Sequence, residues 1–116
     1  MDNERNALPT QTLLPAQIRF LWQCAPVTDG ILTRWSEKFA IPFSYGYDGI
    51  VVKLSRHHAP GWWKWSSDGS LCVLYYGDLA GLSEGFSRLE EKITVENGRV
   101  CIPCGEEKQE AKKADE

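Results

Sequence analysis

No run of apolar residues in this 116-residue chain approaches the ~18 needed to cross a bilayer as a helix. The opening MDNERNALPTQ lacks the charged-then-apolar pattern of a secretory signal. Together these absences set the expectation of a cytoplasmic protein. Basic charge is also short. Thirteen Lys and Arg stand against 16 Asp and Glu, giving a net charge of −3. A general nucleic-acid binder needs clustered cations to displace phosphate counterions. The balance therefore argues against nucleic acid and points to a protein partner of basic charge. Neither phosphate-binding loop, G-x-x-x-x-G-K-[ST] or G-x-G-x-x-G, occurs.

Cysteine is sparse, at four residues: Cys24, Cys72, Cys101 and Cys104. In a cytoplasmic protein they are reduced thiols rather than a disulfide framework. Cys101 and Cys104 form a C-x-x-C, half of a zinc site, and His57 or His58 could add a ligand. Against this, there is no second C-x-x-C, and adjacent histidines on a strand face opposite ways. The expected arrangement has Val100 and Ile102 on one side of a strand, Cys101 on the other and Cys104 at its frayed end. No metal or other cofactor is expected. The paired acids Glu90-Glu91 and Glu106-Glu107 are expected on a solvated helix face and in the tail, poor settings for general acids. The chain is accordingly expected not to be an enzyme.

What the chain does hold is apolar and aromatic mass: 42% hydrophobic and 11% aromatic residues, enough for one core. The leader 1–12 is polar and expected to be loose. Pro15 is expected to open a helix with Ile18, Leu21 and Trp22 on one face. A second helix is expected to start at Thr28 as N-cap, to carry Ile31, Leu32, Trp35 and Phe39, and to end before Pro42. "GIVVKL" at 49–54, "WWKW" at 62–65 and "LCVLYY" at 71–76 read as strands, with a tight turn at Asp68-Gly69. "GDLAGL" reads as a loop. Ser83 would then cap a helix bearing Phe86, Leu89 and Ile93. Residues 93–102 read as two strands about an Asn97-Gly98 turn. The tail 105–116, with five acids and three lysines, is expected to be disordered. The class expected is α+β: an antiparallel β-meander with two or three short helices packed on one face, over a single globular domain at 13–104.

Three of the five tryptophans crowd into residues 62–65, just after both histidines. On a strand Trp63 and Trp65 share one face, while Trp62 and Lys64 take the other. Trp22 and Trp35 fall on apolar helix faces and read as core. The triplet cannot all face one core. With Tyr45, Tyr47, Arg56, His57 and His58, residues Trp62, Trp63, Lys64 and Trp65 therefore form the candidate partner-binding set.

The order of Trp35 in a helix, "SYGYDGI" at 44–50 and "APGWW" at 59–63 resembles a predicted immunity-protein family of bacterial polymorphic toxin systems. That family has a Trp-containing helix, a "YGI" strand opening and an "NPGW" turn. Trp35, Gly49-Ile50 and Pro60-Gly61-Trp62 stand in the matching order, with Ala59 where the family tends to have asparagine. The resemblance implies a non-catalytic inhibitor that neutralises a partner protein by binding it. The same features suit a phage-encoded anti-defence inhibitor of anti-CRISPR type. A small zinc or thiol protein using Cys101, Cys104, His57 and His58 is the alternative from another class.

Overall fold

The computed structural model describes residues 10–19 and 22–109, with the Trp22 side chain excepted. In order, the elements are β1 (Gln11–Leu14), β2 (Gln17–Arg19), a 3-10 turn (Trp22–Cys24), α1 (Ala25–Phe39), β3 (Ser44–Gly46) and β4 (Val51–Leu54). There follow β5 (Trp63–Ser67), β6 (Cys72–Tyr76), α2 (Leu79–Glu90), β7 (Thr94–Glu96), β8 (Arg99–Pro103) and β9 (Gly105–Lys108). The fold is α+β. A four-stranded sheet runs β4-β6-β5-β9, a three-stranded sheet runs β1-β8-β7, and β2 pairs with β3.

The two hairpins expected from the sequence are present. β5 and β6 pair antiparallel, and Asp68 shapes their turn by accepting from the backbone N–H of Ser70 and of Leu71. β7 and β8 pair about Asn97 and Gly98, whose φ of 53° and 74° suit the tight turn that Asn-Gly favours.

Elsewhere the structure corrects the sequence expectations. β4 does not join an antiparallel meander. It pairs parallel with β6, because the connection at 55–62 carries the chain past the end of β6 before β5 begins. No helix opens at Pro15. Gln17–Arg19 form a short strand parallel to β3, and Ile18 is fully buried there. Leu21 and the Trp22 side chain lie outside the described residues. α1 starts at Ala25 with Pro26 in its first turn, where a missing N–H costs nothing. Thr28 is thus inside the helix, donating to the Cys24 carbonyl rather than capping. "GDLAGL" is no loop: Asp78 caps α2 by accepting from the Gly81 N–H at 2.8 Å, in place of Ser83.

Both ends of the domain also extend further than expected. Residues 11 and 12 belong to β1, paired with β8, and the buried Thr12 hydroxyl bonds that of Ser67. Residues 105–108 form β9 along β5. Strand pairing uses backbone groups, so a stretch as polar as GEEK can join an edge. Residues 1–9 and 110–116 lie outside the described part.

One core joins the layers. Trp35 is fully buried and meets the rings of Phe39, Phe43 and Phe86 edge-on, with centroids 5.5 to 6.3 Å apart. Its indole N–H donates to Glu90 at 2.7 Å. Glu90, expected on a solvated face, is only 6% exposed. It also accepts a two-pronged bond from Arg34, at 2.9 and 3.1 Å, and one from Lys38 at 2.8 Å. These bonds tie α1 to α2. They hold the Glu90 carboxyl at about 2, chiefly through Arg34, with Lys38 and Trp35 adding to it and burial opposing.

A carboxylate held below its unfolded value stabilises the fold above that value and loses the effect as pH falls. Stability should therefore drop by about 3 kcal/mol as the solution passes from pH 5 toward pH 2. Glu90→Gln should lower the midpoint at pH 7 and flatten that acid limb, as thermal melts across the range would show. Truncation gives a second test. A chain ending at Cys104 should lose about 1–2 kcal/mol against one ending at Gln109, because β9 pairing and the bond from the Trp65 indole to Glu107 both go. Thermal melting and a red shift of Trp emission would report it.

Candidate binding surface

The connection at 55–62 carries Arg56, both histidines and Trp62. It is pinned at both ends to the strand it crosses. The Ser55 N–H donates to the Tyr76 carbonyl at 2.8 Å, and the Gly77 N–H donates to the Trp62 carbonyl at 3.2 Å. Between these points Asp78 acts as a clamp. While capping α2, its carboxylate also accepts from the Gly61 N–H at 3.1 and 3.2 Å. Gly81 makes the close fit sterically feasible, since a Cβ there would lie 2.0 Å from the Trp62 carbonyl oxygen.

Within the loop, the His58 and Trp62 rings stack face to face, 3.5 Å apart and 3° from parallel. Ser55 Oγ lies 2.9 Å from His58 Nε2, fixing the imidazole at its edge. His57 beside it adopts φ 72°, in the left-handed region. A Ser–His pair invites comparison with nucleophilic catalysis, which also needs a group to orient the base and donors for an oxyanion. Here Asp78 is engaged with Gly61 and Gly81, and no described residue hydrogen-bonds the other nitrogen of His58. The Ser55 contact sets the edge of the stacked imidazole.

The candidate residues separate into three groups. Trp63 and Trp65 are 3% exposed and belong to the core, which removes them from the partner-binding set. Strand alternation sends them inward, where α2 and the rest of the core cover them. Tyr45 is half-buried, its hydroxyl bonded to Thr28 and Asp29 on α1, and burial pushes its pKa up. Tyr47 is 90% exposed. Arg56, His57, His58, Trp62 and Lys64 remain at the surface, Trp62 and Lys64 partly buried.

The cysteines are held apart from this loop's chemistry. Cys101 is buried on β8 and Cys104 is half-buried beyond it. Among the described residues no group of three His, Cys, Asp or Glu could hold a metal ion. Burial pushes the Cys72 thiol up to about 12 and raises that of Cys24, making both poor nucleophiles. The letters G-x-S-x-G do occur, at 81–85, but inside α2 rather than at a strand-to-helix elbow. Both glycines there have a packing reason: Gly81 admits the Trp62 carbonyl, and a Cβ on Gly85 would lie 2.8 Å from Leu74. Asp78 is the residue positioning this loop that sequence reading missed. Its signal was an Asp just before the amphipathic run of Leu82, Phe86 and Leu89.

No protein-family model and no curated protein matches the sequence. Solved structures do match in fold. A family 20 exo-β-N-acetylglucosaminidase from Vibrio harveyi, in complex with N-acetylglucosamine, superposes with a TM-score of 0.69 at 13% identity, over 85% of this chain and 17% of that one. A chitobiase from Flavobacterium johnsoniae gives 0.61 at 10% identity, over 93% of this chain and 21% of that one. A β-N-acetylhexosaminidase from Streptomyces coelicolor gives 0.57 at 11% identity, over 84% and 23%. The chain spans about a fifth of the length of these enzymes, and at such identity the likeness is one of fold.

The clamp makes a prediction about Gly81. Gly81→Ala should force Trp62 and Asp78 apart, lowering the melting temperature and separating the His58–Trp62 stack. Thermal melting and the ring-current-shifted His58 proton resonances would report the change.

Proposed function

We propose that this chain is a non-catalytic binding module that neutralises a partner protein by direct contact, as immunity proteins do. The observation that carries the reading is the preformed His58–Trp62 stack, held at the surface by Asp78. A binding loop that is already ordered loses little conformational entropy on association. A tryptophan so placed is the residue type that most often dominates binding energy. The resemblance of Trp35, Gly49-Ile50 and Pro60-Gly61-Trp62 to an immunity-protein family points the same way. A phage anti-defence inhibitor would use the same surface physics and differ in the partner it meets.

A second reading has its own support in the fold likeness to parts of family 20 glycoside hydrolases. On that reading the chain is an accessory unit that packs against a larger hydrolase.

Affinity capture from the source cell, with the captured protein identified, separates the readings. A toxin or defence protein supports neutralisation, a glycoside hydrolase supports the accessory unit, and capture of nothing under mild salt sinks both. Trp62→Ala should weaken capture by about thirtyfold, from a loss of ~2 kcal/mol, while the fold survives. Trp63→Ala should instead cost ~3–5 kcal/mol of stability.

A further inference from the structure

We infer that the face of the four-stranded sheet turned away from α2 is the contact surface, and that its occupant is an acidic protein surface. The inference rests on the binding-module reading and gives it a location and a partner chemistry.

α2 covers the face bearing Trp63 and Leu74, since a Cβ on Gly85 would touch both side chains. Strand alternation then assigns the opposite face, and the register builds it row by row. Lys53 on β4 pairs with Tyr75 on β6, Tyr75 with Lys64 on β5, and Lys64 with Lys108 on β9. Three lysines and a tyrosine therefore form one row across four strands, roughly 14 Å wide at the usual strand spacing. At the end of the sheet this row meets the stacked rings, because the His58 and Trp62 Cβ atoms lie 3.7 and 3.9 Å from where a Cβ on Gly77 would be.

The charge of this face is opposite to that of the chain. The next row is Val51, Val73, Ser66 and Glu106, and its two valines are buried, so the accessible part of this face is the lysine row and Glu106 beside it. Glu106 reaches Lys64 at 3.3 Å, and it is the one acid in the two rows. Among the described residues Lys53 and Lys108 make no ion pair. Like charges directly opposite across a strand pair are unfavourable, yet Lys64 faces Lys108. An incoming carboxylate between them would relieve that repulsion. The net charge of −3 makes a basic partner the whole-molecule expectation, but complementarity at a contact is set by the local face. A polyphosphate would find the same lysines, and the thymidine decamer in the test below separates the two.

The test uses the full chain, isotope-labelled and titrated at low salt with a glutamate decamer, a lysine decamer and a thymidine decamer in turn. The glutamate decamer should shift the amides of Lys53, Lys64, Tyr75 and Lys108 and the Trp62 indole. The double variant K53E/K64E should weaken that binding at least tenfold with an unchanged melting temperature. K108E alone, at the sheet edge, should do so in part. Shifts spread equally over Lys38 and Lys92, tighter binding of the thymidine decamer, or an unchanged affinity in K53E/K64E would each overturn the inference. Should the identified capture partner bind K53E/K64E as well as wild type, this face is not its contact, although the chain remains a binding module. Should nothing be captured while the glutamate decamer binds the row, the neutralising reading fails and the surface stands.

Discussion

The structure turns on one buried carboxylate. Glu90 sits near the C-terminal end of α2 and takes hydrogen bonds from Arg34, Trp35 and Lys38, all on α1. An unpaired charge at that depth would cost several kcal/mol, so the two helices must meet where those donors converge. The indole N–H needs the carboxylate as much as the reverse, because Trp35 is fully buried among Phe39, Phe43 and Phe86. Fixing one end of α2 in this way fixes the other end across the sheet. There Asp78 caps the helix and holds the loop at Gly61. The surface loop thus inherits its order from a core interaction at the far end of a twelve-residue helix.

The same helix decides which tryptophans are available. By packing on the Trp63 and Leu74 face, α2 consigns Trp63 and Trp65 to the core and leaves Trp62 and Lys64 on the other side. The crossing of 55–62 over the end of β6 then brings His58 onto Trp62. A two-residue hairpin in its place would have paired β4 with β5 antiparallel, with no such loop. The parallel β4–β6 pairing and the aromatic surface are two results of one connection.

That coupling marks what was legible in the sequence. The in-out alternation of residues 62–65 was legible, because period 2 is strict and a turn signal at Asp68-Gly69 bounds it. So was the β7–β8 hairpin, whose Asn97-Gly98 turn needs only local geometry. β2 was not: its three residues gain their strand geometry from β3, beyond α1 in the chain. β9 was not, because GEEK has no apolar pattern and pairs through its backbone. Glu90 and Glu91 look alike in sequence, yet one is buried and the other exposed. The difference comes from α1, where Arg34 and Lys38 stand one helical turn apart with Trp35 between them, a trio that suits a single acid. Glu106 shows the limit from the other side. As a member of a polar tail it carried no meaning, and as a residue of β9 it becomes the counterion of Lys64.

The likeness to parts of family 20 glycoside hydrolases bears on layers and connectivity, and it leaves function to the side chains. Here those side chains divide by charge. The chain as a whole is acidic, with a net charge of −3 that sets its long-range field. The sheet face away from α2 gathers Lys53, Lys64 and Lys108 about Tyr75 in one row. A surface whose local sign opposes its global sign suits selection at contact more than fast encounter. Long-range attraction falls within a Debye length of about 8 Å at physiological salt, whereas a paired and partly buried contact is screened far less. A partner with a small acidic patch on an otherwise basic body would satisfy both fields: its net charge draws the chain in, and its patch seats on the lysine row.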